Sequence, residues 1–245
     1  MVLTFHHAQF EQAVREQLQI FHRNITAADA LQVSTLDLTN FDFKDEDIET
    51  LVLFSHLTSL HINIRQQDTA IWQHFPMLEE LHLCCWGAEV DFCAFSPLKN
   101  LTYLMVSGGE YSDISFRRLE ALIPLKQLSE LILHEFGSAD LAPLEYMPQL
   151  KHFSLLYAHS SKNIAVIGRL TQLESLRLCD LHVEDLDFLD TLPDHVELEM
   201  CGIEIHGKKS PDIWKWKRFK SRDISECEIV RGQSRADINL TPLDT

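Results

Sequence analysis

One spacing of apolar residues returns along most of the chain. The hexad LEELHL, which starts at Leu78, has leucine at its first, fourth and sixth positions, and the same frame recurs at starts 20–27 residues apart. The eight starts are Val33, Leu57, Leu78, Leu101, Leu128, Leu150, Leu173 and, in degenerate form, Pro193. In a strand, these three positions point to one side and the third, fifth and seventh point to the other. Each hexad therefore predicts one short strand with a buried face.

A regular repeat of this length predicts a solenoid. One unit cannot bury its own apolar face, whereas units stacked side by side share a continuous core and build a parallel sheet on the inner side of the stack. The L-x-x-L-x-L frame over about residues 31–206 resembles the leucine-rich repeat family, in its bacterial, internalin-like form. The resemblance implies an α/β solenoid, a leucine-rich repeat horseshoe with about eight parallel strands on its concave face.

The segments between the hexads predict the outer side of this solenoid. Segments such as 136–149 and 86–100 are too short for full helices, so we expect turns and 3₁₀ pieces there. The longer segment 112–125 has room for a helix capped by Ser112 or Asp113. The asparagine that the family motif carries nine places into each unit is absent, and we expect aromatic packing to replace part of its role.

Both ends of the repeat array predict a cap, because an open solenoid end exposes its core. Residues 1–30 form the predicted N-terminal helical cap, 31–207 the repeats, and 208–245 a C-terminal cap with a basic tail. The N-terminal segment contains four apolar residues at helical spacing, namely Phe10, Val14, Leu18 and Phe21. Thr26 followed by Asp29 three residues later is a variant of the capping box.

Charge is distributed unevenly along the chain. The net charge is −16, with −19 in residues 1–207 and +3 in residues 208–245. An acidic body disfavours nucleic acid as the main partner and favours a basic one. The six cysteines form no CxxC pair, and no segment has the apolar length of a membrane span or the pattern of a leader. We therefore expect reduced thiols and a cytoplasmic location, with export after removal of a leader as the alternative.

The outward positions of the hexads predict the functional surface. The leucine-rich repeat resemblance implies that a ligand binds on the concave face, where adjacent residues of a row lie about 4.8 Å apart. Tyr103, Met105, Ile132 and Leu156 form a predicted apolar centre on neighbouring strands, which is typical of an interface. The full set of predicted partner-binding residues is Glu80, His82, Tyr103, Met105, Glu130, Ile132, His134, His152, Leu156 and Arg177.

The stretch HLCC (82–85) raises the alternative of a metal site. His82 and Cys84 point outward while Cys85 points inward, and His61 lies one strand away in the row of His82. His61, His82 and Cys84 could bind zinc, with Glu80 or water as the fourth ligand. Polar residues on an exposed sheet explain the same pattern, so our prediction is that the protein has no metal and no cofactor.

The tail segment 208–222 carries seven basic residues interleaved with Trp214, Trp216 and Phe219. This pattern suits a terminal cap that pairs with the acidic body. Binding of single-stranded nucleic acid or of an anionic membrane is a weaker alternative.

No nucleophile elbow, Walker loop, HExxH or dinucleotide-binding fingerprint occurs, so we expect no catalysis. The sequence predicts a scaffold that binds a protein or peptide on its concave face. Two narrower alternatives remain open. One is an immunity or inhibitor protein that neutralises a basic toxin or nuclease, and the other is an exported adhesion or virulence factor.

Overall fold

The fold is a stack of short strands joined by short outer segments. The structure, a computed structural model, describes residues 1–43, 45–64, 70–86, 89–108, 114–205 and 224–225. It begins with the elements α1 (Ala8–Leu18), α2 (Ala27–Ala30), β1 (Thr35–Phe43), α3 (Asp45–Leu51) and β2 (Ser59–Ile64). The further strands are β3 (Glu80–Cys85), β4 (Glu89–Asp91), β5 (Tyr103–Gly108), β6 (Ser115–Arg117), β7 (Glu130–Asp140), β8 (His152–Lys162), β9 (Ser175–Val183), β10 (Glu197–Ile205) and β11 (Ile224–Ser225).

All these strands belong to one sheet, in which each of the eight hexads contributes a strand. The order along the sheet is β1-β2-β3-β5-β7-β8-β9-β10-β11, and the pairing between neighbours is parallel. The predicted horseshoe with about eight parallel strands is therefore confirmed. Short strands β4 and β6 pair beside this path, and β6 also pairs with the outer part of β7.

The core is a ladder of equivalent side chains from successive units. The level of the fourth hexad position is at most 4% exposed in every unit and is occupied by Leu36, Leu60, Leu81, Leu104, Leu131, Phe153, Leu176 and, in the last unit, Leu198, which pairs with Leu176. Because strand neighbours are in register, each of these side chains stacks on its counterpart in the next unit. Burying a leucine contributes about 1.5–3 kcal/mol, so stacking gives each unit the apolar contacts that it could not make alone.

The outer segments are mostly 3₁₀ turns, as predicted. They span Ile71–His74, Phe92–Phe95, Leu119–Leu122, Ala142–Tyr146, Ile164–Arg169 and Asp187–Thr191. An aspartate precedes three of them and accepts the backbone N–H two residues later, as Asp140 does from Ala142 at 3.0 Å. Such short side-chain-to-backbone bonds favour turns over helices.

The prediction of a helix in segment 112–125 is wrong for residues 114–125, the part of this segment that the structure describes. There the chain forms strand β6 and the four-residue 3₁₀ turn Leu119–Leu122. Arg118, between them, has a left-handed backbone with φ 58°. That conformation interrupts a right-handed helix, so the extra length of this unit extends the sheet. Ser112 and Asp113 lie outside the described residues.

The sequence lacks the family's asparagine at the corner after each inner strand, and two other features stabilise the corners of strands β7 to β10. Phe136 is buried and stacks on Phe116 with ring centroids 4.6 Å apart, so aromatic packing replaces the asparagine at this unit. In β7 to β10, the residue before the buried corner position has a positive φ, which lets the strand turn and then pair again. These residues are Glu135, Tyr157, Asp180 and Gly202. At Gly202 a Cβ would also collide with the Asp180 carboxyl group.

The N-terminal segment packs its helix on the first repeat. Phe10 and Val14 are fully buried, and the ring of Phe10 lies 5.7 Å from that of Phe54. Leu18 ends α1 and packs on the core partly buried. Phe21 lies beyond the helix and is 55% exposed, so its predicted place on the apolar face is wrong.

The predicted capping box at α2 is confirmed, and a nearby arginine strengthens it. Asp29 accepts hydrogen bonds from the backbone N–H and hydroxyl of Thr26 at 2.8 and 2.7 Å. Both terminal nitrogens of Arg23 donate to the same carboxylate at 2.6 and 2.7 Å. The hydrogen bonds from Arg23 and then from Thr26 lower the pKa of Asp29.

The C-terminal prediction falls mainly outside the described residues. Residues 206–223 and 226–245, including the basic segment 208–222, are not described. Ile224–Ser225 pairs in parallel with Met200 and Cys201 of β10. The division into cap, repeats and tail stays a prediction. In the described part of the chain, none of the helices is both long and apolar enough to cross a bilayer.

Leu131→Asp should unfold several units together, because a charge buried in the shared core disrupts both neighbouring rungs. The loss should exceed the about 2–5 kcal/mol typical of truncating a buried leucine to alanine. Urea unfolding followed by circular dichroism measures it. Ile132→Asp, one residue later on the concave face, is the matched control and should unfold near the wild-type midpoint. An unchanged midpoint for Leu131→Asp would contradict the shared core.

Asp29→Asn should destabilise the N-terminal segment at neutral pH, and its effect should shrink in acid. The pKa of Asp29 is lower in the folded chain than in the unfolded chain, where it is about 3.9. Its stabilisation is therefore fully present above the unfolded pKa and is lost progressively as the pH falls from there through the lower folded pKa. Thermal unfolding of both proteins from pH 7 to pH 3 tests this. Glu120→Gln, which changes an exposed carboxylate, should show no such pH-dependent difference. A difference in melting temperature between wild type and Asp29→Asn that becomes larger in acid would refute the assigned role of Asp29.

Candidate functional site

Three rows of outward side chains form the concave face. The in-register pairing of the strands forms the first row from Thr35, Ser59, Glu80, Tyr103, Glu130, His152, Ser175 and Glu197. The central row is Asp37, His61, His82, Met105, Ile132, Ser154, Arg177 and Glu199. The third is Asn63, Cys84, Ser107, His134, Leu156, Cys179 and Cys201. The predicted binding residues therefore lie on one continuous surface.

The last unit differs from its predicted register by two residues. The sequence places His195, Glu197 and Glu199 in the three rows, whereas the structure places Glu197, Glu199 and Cys201 there. The cause is the degenerate start at Pro193. Pro193 lies in the preceding turn, where its carbonyl oxygen accepts a hydrogen bond from the N–H of Val196. Val196 is fully buried and is the first core residue of the last unit.

The predicted apolar centre forms a patch in the middle of this face. Met105 and Ile132 are direct neighbours in the central row, Tyr103 pairs with Glu130 in the first row, and Leu156 pairs with His134 in the third. All four apolar side chains are half-buried. Each of them therefore leaves part of its apolar surface accessible on the concave face.

A ladder of three rings lies next to this centre. The imidazoles of His61 and His82 lie with centroids 3.8 Å apart at an interplanar angle of 34°. The ring of His82 stacks on that of Tyr103 with centroids 4.6 Å apart at an angle of 20°. Burial lowers the pKa of His82, so its imidazole is neutral at pH 7. Burial, with Glu130 and Glu80 nearby, raises the pKa of Tyr103 to about 12 and keeps its hydroxyl protonated.

Two carboxylates border the ring ladder. Glu80 Oε1 lies 3.1 Å from His82 Nε2 and 3.8 Å from His61 Nε2. Burial raises the pKa of Glu80, but hydrogen bonds from Ser59 and His82 outweigh it, and the net shift is downward. Asp37 accepts hydrogen bonds from the hydroxyl and N–H of Thr39, which lower its pKa as well. Both groups are therefore anionic at neutral pH.

The far side of the centre is bordered by a third histidine, His134. His134 Nδ1 lies 2.8 Å from the Ser107 hydroxyl, and its ring meets Tyr157 edge-on at 5.3 Å. Burial lowers the pKa of His134. Tyr157 is 51% exposed and has a φ of 53°, and the sequence analysis missed it. Strict alternation assigns no side to a residue in the left-handed conformation, so the hexad pattern carries no signal for it.

The remaining predicted residues are held by polar partners. Arg177 donates to Glu199 at 2.7 Å in the central row, and His152 Nδ1 lies 2.8 Å from the Ser175 hydroxyl in the first row. These contacts fix both side chains along the face. The charges of Arg177 and Glu199 offset one another, so the other carboxylates of the rows leave the face acidic.

The cysteines of the third row correct one expectation. Cys179 and Cys201 are direct neighbours on β9 and β10 and form a disulfide, so the expected reduced thiols are wrong for this pair. Cys84, Cys85 and Cys93 are free. Cys85 points into the core, as predicted, and burial raises its pKa to about 12. Cys227 lies outside the described residues.

Solved structures with this arrangement are repeat proteins. Internalin C2 from Listeria monocytogenes is similar with a TM-score of 0.68 and 17% identity, over 90% of this chain and 94% of that chain. Internalin inlF from the same organism has a TM-score of 0.67 and 20% identity, over 92% of this chain and 64% of that chain. The protein has a leucine-rich repeat fold. No protein-family model and no curated protein matches the sequence.

The same fold occurs in a receptor solved with a peptide. The Arabidopsis receptor kinase HAESA, in complex with an IDA peptide hormone, is similar with a TM-score of 0.53 and 20% identity. This chain is covered over 74% of its length and spans 31% of that ectodomain. At these identities the likeness extends to the leucine-rich repeat fold and not to a ligand.

Peptide mapping should recover Cys179 and Cys201 as a linked pair. Intact native cells are quenched in acid and alkylated before digestion, so that the redox state of the cell is preserved. Cys84, Cys85 and Cys93 should carry the alkyl label after denaturation and serve as internal controls. Full labelling of Cys179 and Cys201 would show that the bond does not exist in the cell.

Proposed function

We propose that this protein is a non-enzymatic scaffold that binds a protein or peptide segment on its concave face. The observation that carries the proposal is an apolar centre flanked by fixed polar groups on one continuous sheet surface. Apolar anchors inside a polar rim are typical of interface centres, where a few residues supply most of the binding energy. Tyr103, Met105, Ile132 and Leu156 are the proposed anchors.

The charge of the face favours a basic partner. Five carboxylates project from the three rows of the described residues, against one guanidinium, that of Arg177. They are Asp37, Glu80, Glu130, Glu197 and Glu199. A concave surface of one sign steers a partner of the opposite sign and speeds association. The net charge of −16 acts in the same direction over longer distances.

The third-row cysteines support an assignment of the cellular compartment. Disulfides persist in oxidising compartments and are rare in the cytosol. The bond between Cys179 and Cys201 therefore favours an exported protein, such as an adhesion or virulence factor, over the cytoplasmic location expected from the sequence. An immunity or inhibitor protein that neutralises a basic toxin is the second candidate, and the acidic face favours it. The cell-based thiol measurement separates these settings.

Selection from a random peptide library displayed on phage tests the binding surface. Peptides enriched on the immobilised protein should combine an apolar residue with flanking Lys or Arg. The double change Met105→Ser with Ile132→Ser should weaken their binding at least about tenfold, and Glu130→Gln should weaken it most at low salt. Tyr146→Ser removes an exposed ring from the outer turn Ala142–Tyr146 and is the control. Selection of acidic peptides, or equal loss with Tyr146→Ser, would count against the proposal.

A further inference from the structure

We propose that His61, Glu80 and His82 bind a divalent transition-metal ion of the zinc type on the concave face. These residues lie on the adjacent strands β2 and β3, beside the apolar centre but not within it. The site goes beyond the proposed scaffold function and does not depend on it.

The distances within the trio fit one small ion. Zinc bound tetrahedrally at about 2.0–2.1 Å separates neighbouring ligand atoms by about 3.4 Å. The two distances from Glu80 Oε1, 3.1 Å to His82 Nε2 and 3.8 Å to His61 Nε2, bracket that value. One ligand atom from each residue lies within 4.8 Å of the other two. The three ligand atoms are therefore close enough together to share one ion.

The trio is built on sheet rather than on a loop. His61 and His82 are paired in register, and the next pair along the strands is Ile62 with Leu83, both buried in the core. The ring of Tyr103 stacks on His82 and limits its rotation. Sites on regular elements hold their geometry more closely than sites on loops, so the sheet gives the three ligands a fixed spacing.

Outer contacts orient the ligands and add negative charge. Ser59 donates a hydrogen bond to Glu80, and Asp37 pairs with His61 in the central row. Asp37 is itself held by the hydroxyl of Thr39 at 2.7 Å. Hydrogen-bonded groups behind the ligands commonly determine metal affinity in proteins. The arrangement thus has both direct ligands and supporting groups.

The ligand set differs from the alternative raised by the sequence. Within the described ranges, His61, Glu80 and His82 are the one trio of His, Cys, Asp or Glu side chains that could hold an ion together. Cys84 is not part of this trio, and its thiol donates instead to the carbonyl oxygen of Gly108 at 3.8 Å. Two imidazoles and one carboxylate leave a fourth position for water or for a group from a partner.

Metal titration of the untagged, chelator-treated full chain tests the site. Calorimetry with ZnCl₂ should show one equivalent of tight binding, and CoCl₂ should give the visible absorption of a four-coordinate ion. His82→Gln and Glu80→Gln should each weaken zinc binding at least about tenfold, since loss of only an outer-shell partner costs about 10–100-fold. His159→Gln changes an exposed histidine on β8 outside the trio and should leave binding unchanged.

Two results would overturn the site. The first is that the wild-type chain does not bind one equivalent of zinc. The second is that wild type and His82→Gln bind zinc with equal affinity, which would assign the ion to other histidines. Circular dichroism melts of the metal-free variants verify that they remain folded. The titration uses the chain alone, so its failure would leave the peptide-binding proposal untouched, and the reverse also holds.

Discussion

The in-register pairing of parallel strands is the constraint on which the whole structure depends. Leu81 is buried because Leu60 and Leu104 lie beside it at the same level of the sheet. A slip of one residue would turn the apolar positions outward and the polar rows inward. The backbone ladder and the stacked core therefore specify one another. Neither is stable in a single unit, which is why the fold needs many units.

The same register creates the chemistry of the concave face. His61 and His82 are 21 residues apart in sequence, yet pairing places their rings at van der Waals distance. Glu80 reaches both because it starts the strand that carries His82. No loop has to fold around this cluster, and its geometry follows from strand spacing alone. Side chains along a row consequently interact as neighbours over the whole length of the sheet.

Most of the fold and the surface could be predicted from the sequence, because strand alternation fixes which residues face outward. The prediction was wrong where another local force acted. At Pro193 a turn shifted the last strand by two residues, and Arg118 ended a helical pattern in a left-handed conformation. The Cys179–Cys201 pair depended on that shifted register, so spacing alone could not reveal it. Tyr157 was missed because alternation says nothing about a residue with positive φ.

The two proposed sites share one electrostatic field, and this links them. An ion held by His61, Glu80 and His82 adds two positive charges beside the face that carries Asp37 and Glu130. Such an ion opposes binding of a basic segment, unless that segment supplies the fourth ligand. Linkage makes the effect reciprocal, so a bound basic segment changes the affinity for the ion by the same factor. Because both sites stand on adjacent strands of one rigid sheet, charge alone is enough to couple them, and no change of backbone shape is required.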